Sequence, residues 1–65
     1  MHVYVVLEML EGAVTRIEVY NNPATATDAK HRWRSANNVS SVEAEARLAD
    51  DGTICHIYHR LLRSA

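Results

Sequence analysis

Phenylalanine is absent from this chain, proline and cysteine occur once each, and glycine twice, at Gly12 and Gly52. A single cysteine, Cys55, excludes an internal disulfide and fits a reducing compartment. So few glycines and prolines, with 48% apolar residues, exclude low-complexity or disordered composition. Neither sign of charge dominates: the formal net charge is −1 with the four histidines neutral. Dedicated nucleic-acid binders carry strongly basic domains, so global charge argues against that class. No apolar run approaches the roughly 18 residues of a membrane span. The opening "MHVYVVLEML" lacks a basic segment and a small-residue cleavage site, so a secretory leader is not expected. These absences point to a soluble cytoplasmic chain.

What remains is 65 residues, enough for one domain. A core this small supplies only about 3–5 kcal/mol, and such chains commonly lean on a disulfide, a metal or a partner. Residues 2–10, "HVYVVLEML", and 13–20, "AVTRIEVY", are rich in β-branched and aromatic residues and predict a hairpin. A three-residue loop over 10–12 places Gly12 at a bulge position and pairs Val5 with Ile17. A two-residue loop, Glu11-Gly12, is the competing register. Alternation then segregates Val3, Val5, Leu7, Ile17 and Val19 from His2, Tyr4, Val6, Arg16, Glu18 and Tyr20. Asn22 as cap and Pro23 at the first position predict a helix over 23–36, with Ala26, Ala29, Trp33 and Ala36 on one face. Asn37 is the residue suited to end it in the left-handed conformation.

The last third holds two apolar patterns. "VEAEARL" alternates, and "TICHIYHRLL" carries Ile54, Ile57, Tyr58, Leu61 and Leu62. The pair Asp51-Gly52 between them is a hairpin signal, and a turn there pairs Ala46 with Ile57 and Glu43 with Arg60. The predicted fold is α+β, ββαββ: a four-stranded antiparallel sheet of two hairpins with one helix packed on one face. Ala44 and Ala46 become the low ground under Trp33.

One helix covers one sheet face, leaving Tyr4, Val6, Val14, Tyr20, Ile54 and Tyr58 on the other. An apolar face with all three tyrosines predicts a contact surface, and a twofold homodimer is the commonest closed form. The expected function is a small non-enzymatic interaction or adaptor module, homodimeric through that face, with a different protein as the other possible partner. The alternative is nucleic-acid or other polyanion binding through Lys30, Arg32 and Arg34. Helical spacing spreads those cations around the cylinder, and their place at a helix end complements the dipole. Cys55, His56 and His59, with His2 and His31 elsewhere, form no recognised ligand spacing. A buried Cys55 and surface histidines are therefore expected, with no metal, cofactor or catalytic site.

Overall fold

The structure is a computed structural model and describes residues 1–63. Its elements are β1 (His2–Leu10), β2 (Ala13–Tyr20), α1 (Pro23–Ala36), α2 (Val42–Asp50) and β3 (Ile54–Leu61). The predicted four-stranded ββαββ arrangement with one helix is therefore corrected: the order is ββααβ, a three-stranded antiparallel sheet under two helices. β1 is central, with β2 on one side and β3 on the other. Both helices belong to the single connection from β2 to β3.

The correction has a local cause. Val42–Asp50 alternates in hydropathy, yet Ala, Glu, Arg and Leu are strong helix formers. Ser41 caps the helix by accepting from the Ala44 amide at 3.1 Å, and Glu43 and Glu45 occupy the first turn. Ala44 and Leu48, four apart, face the core, and Ala46 is exposed. The Asp-Gly pair ends this helix instead of turning a hairpin. Gly52, at φ +78, donates to the Ala49 carbonyl at 2.9 Å, and Thr53 donates to Leu48 at 2.9 Å. That pair of hydrogen bonds is the Schellman helix stop, which needs a left-handed residue after the last turn.

α1 spans the predicted residues. Asn22 accepts from the Ala24 amide at 2.8 Å, and Pro23 needs no partner for a missing N–H. It closes with the same motif one residue later than predicted. Asn38, not Asn37, takes positive φ, +55. Asn38 donates to Ser35 at 3.2 Å and Val39 to Arg34 at 2.8 Å. Val39 is thereby turned into the core beside Trp33.

In the β1–β2 hairpin the tip is the two-residue turn Glu11-Gly12, with φ of +50 and +84, so the three-residue loop is also corrected. Leu10 pairs with Ala13 and Met9 with Val14; the register then shifts, and Glu8 pairs with Arg16 through to Tyr4 with Tyr20. The bulge leaves Thr15 over, its hydroxyl donating to the Glu8 carbonyl at 3.3 Å. The slip is an even number of residues from the predicted register, so the division of β1 and of residues 16–20 between faces survives. β3 pairs with β1 from His2 with Leu61 to Met9 with Ile54.

The core lies between the helices and the even-numbered side of β1. Val6, Ala26, Ala29, Trp33, Val39 and Cys55 form the buried cluster, with Tyr4, Tyr20, Leu48 and Ile57 against it. Val6 is 1% exposed and Trp33 7%. The low ground beside the indole is thus Val6 and Cys55, not Ala44 and Ala46 of a strand. Thr53 is buried with its hydroxyl satisfied by the Glu11 amide at 3.2 Å. Lys30 and Arg34 of α1 meet Glu45 of α2 at 3.7 and 2.9 Å, tying the helices together.

Candidate interaction surface

Because both helices lie on one side, the opposite side of the sheet has no covering layer among the described residues. Cross-strand partners share a face, so the pairings define its rows. Val5 stands between Val19 and Tyr58, Leu7 between Ile17 and His56, and Met9 between Val14 and Ile54. Val3 lies beside Arg60 at one end and, although buried, stands outside the core cluster. The β2 row is the most open: Ile17 is 60% exposed, Val19 62% and Val14 54%. The β3 row is amphipathic. The Arg60 guanidinium sits 5.3 Å from the Tyr58 ring centre, and His56 meets the same ring edge-on at 4.4 Å. The result is an aliphatic sheet flank bordered by one cation–aromatic ladder.

The six residues expected to share a contact face are divided by the structure. Val14, Ile54 and Tyr58 belong to the open side. Val6 is in the core, and Tyr4 and Tyr20 pack against it under the helices. The two strand faces were separable by alternation; which of them the helices take was not. Tyr20 donates its hydroxyl to Glu18, keeping its polar tip at the margin of the helix layer. That hydrogen bond, then burial and the carboxylate's charge, pushes the phenol above its ordinary value. The surface residues missed were Val5, Leu7, Ile17 and Val19, whose signal was already present as the purely aliphatic strand face.

Of the candidate polyanion residues, Lys30 and Arg34 are engaged by Glu45. Arg32 points elsewhere, lining an open groove of about 250 Å³ with Glu8, Arg16, Glu18 and Trp33. Two carboxylates offset two guanidiniums there, and Arg16 pairs with Glu18 at 2.6 Å. The groove is smaller than the roughly 300–1,000 Å³ of small-molecule sites. Cys55 is buried; desolvation, reinforced by the Glu8 charge, pushes its thiol upward, away from the nucleophilic thiolate. His56 lies on the open face and His59 on the helix side. Among the described residues no three His, Cys, Asp or Glu side chains converge, and no helix is long and apolar enough to cross a membrane.

Comparison with family models, with curated proteins and with solved structures found no match to the chain.

Proposed function

We propose that this chain is a small protein-interaction module that acts as a homodimer, two copies packing their open sheet faces together. The observation that carries this reading is the aliphatic sheet face in which exposed Ile17 and Val19 adjoin half-buried Leu7 and Val5. Three features favour a second copy as the occupant. The first is area. A folded 7.3 kDa monomer is expected to expose about 4,200 Å². This chain exposes 4773 Å². The excess of roughly 600 Å² is what each partner buries at the lower end of stable interfaces. The second is core size, since a 65-residue chain adds buried area most simply by pairing.

The third is charge. The molecule is 41 Å long. Arg60 and Arg63 lie at the end where β1 begins, and Glu11, Asp50 and Asp51 at the end where it finishes. A twofold axis lying across the strands reverses strand direction between copies. Each basic end then meets the partner's acidic end. An apolar face with oppositely charged ends along the strand direction is self-complementary only in that antiparallel sense.

Light scattering at micromolar concentration should give about twice the chain mass of 7.3 kDa. Ile17→Lys and Val19→Lys, both at exposed positions, should give folded monomers with unchanged circular dichroism. A strict monomer in the parent chain, or a dimer that survives both substitutions, defeats the reading.

A further inference from the structure

We infer that His2 and His59 form a two-histidine chelate for a divalent transition-metal ion, Cu(II) or Ni(II) in preference to Zn(II). The ladder pairs His2 with Leu61 and Tyr4 with His59. The two imidazoles are therefore diagonal neighbours on adjacent strands, on the helix side but beyond the core, and both are exposed. The Tyr4 ring stacks on His59 with centroids 4.8 Å apart and planes 9° from parallel. The strand ends are held in register by Leu62 donating to the Met1 carbonyl at 2.7 Å. Two imidazoles are thus presented side by side from a hydrogen-bonded pair of strands, their backbones held in place while the rings stay free to turn.

The nitrogens that face each other are Nδ1 of His2 and Nε2 of His59, 2.8 Å apart. As a neutral pair one donates its N–H and the other accepts. Either ring nitrogen of neutral histidine also binds metals. Two imidazole nitrogens completed by water make a nitrogen–oxygen donor set, which suits tetragonal Cu(II) and Ni(II), and nitrogen sites hold Cu(II) more tightly than Zn(II).

On binding, the donor imidazole carries its proton on its other ring nitrogen. Both lone pairs then face the ion, and a neutral pair releases no net proton. The rings now meet nearly edge to edge, with centroids 5.0 Å apart and a 33° tilt. Each must turn about its Cβ–Cγ bond, and their exposure leaves room for that. Water completes the coordination, since no third His, Cys, Asp or Glu among the described residues joins the pair. The site is accordingly open and exchangeable, unlike a closed four-ligand structural centre.

Calorimetric titration of the full chain with copper(II) or nickel(II) chloride should show one saturable site per chain, with zinc(II) weaker. His59→Ala and His59→Gln should each weaken copper binding roughly a hundredfold, because the second imidazole acts at high effective concentration. His2→Ala should do the same, whereas His31→Ala and His56→Ala should leave it unchanged. The glutamine variant keeps a polar side chain of similar length without an imidazole, so a loss shared by both variants is not an effect of truncation. Copper binding that survives both His59 substitutions, or no saturable binding of either ion, overturns the inference.

Discussion

Trp33 is the one large side chain that α1 buries in the core. The other buried side chains of α1 are Ala26 and Ala29, which contribute closeness more than area. Trp33→Ala removes the largest core side chain and should cost about 3–5 kcal/mol. A core of this size supplies roughly that much in total. The variant should therefore show no cooperative urea transition, while Trp33→Phe should retain one at a lower midpoint. A parent-like midpoint for Trp33→Ala would remove the anchor. Cys55, in the same cluster, links stability to pH. Its native thiol holds its proton above the ordinary value of 9.0 because burial disfavours the thiolate. Between the unfolded and native values the native state binds more protons, so stability is full below about pH 9 and declines as pH rises further. Tyr20, raised in the same direction, adds to the decline above its ordinary 10.0. Cys55→Ala should flatten the earlier part of that decline, read as urea midpoints between pH 8 and 10.

At the scale of elements, the span of α1 was legible: cap, proline and apolar spacing specified Pro23–Ala36, which holds, with Ala26, Ala29 and Trp33 buried but Ala36 exposed and the left-handed stop at Asn38 instead of Asn37. The segment Val42–Asp50 was not, because seven residues that alternate also place Ala44 and Leu48 four apart. A two-residue period and a helical period coincide over so short a stretch. The deciding signals were Ser41 with its first-turn glutamates, which tertiary context did not need to override. Asp51-Gly52 served either reading, since a left-handed glycine closes a hairpin or a helix. Gly52 has a further task visible only in three dimensions. Its carbonyl accepts from the Gly12 amide at 3.0 Å, joining the hairpin tip to the end of α2. A Cβ at Gly52 would lie 2.6 Å from the Gly12 nitrogen, whereas one at Gly12 meets nothing within 4 Å. Both glycines have positive φ, so alanine at either costs about 1 kcal/mol of backbone strain. Gly52→Ala must also push two backbones apart. Its melting temperature should fall clearly below that of Gly12→Ala; equal losses would mean that the two turns do not meet.

For the whole molecule, the face left bare follows from topology. Both helices sit in one connection, so one side of the three-stranded sheet receives both of them and the other receives no element of the described residues. Sequence alternation could separate the two faces, because Val5, Leu7, Ile17 and Val19 fall on one side while Tyr4, Val6, Glu8, Glu18 and Tyr20 fall on the other. It could not say which face the helices choose, because both faces carry apolar residues and Val6 and Cys55 join Trp33 in one cluster only in three dimensions. If two copies stack antiparallel over the aliphatic face, Arg60 of each approaches Glu11 of the other, twice by symmetry. Exposed pairs contribute about 0.2–1 kcal/mol each, so losing both should weaken the dimer roughly fivefold. Arg60→Glu alone, or Glu11→Lys alone, should raise the dissociation constant by at least that factor and lower the concentration dependence of melting. The double variant restores opposite charges across the interface and should recover most of the affinity at low salt. At about 0.5 M salt the differences should shrink, since exposed charges are then screened within a few ångströms. Parallel stacking would instead bring Arg60 against Arg60, and Arg60→Glu would leave that repulsion in place with reversed sign. Recovery in the double variant therefore distinguishes the direction of packing. If additive losses appear instead, the two ends do not face each other and the antiparallel dimer is wrong.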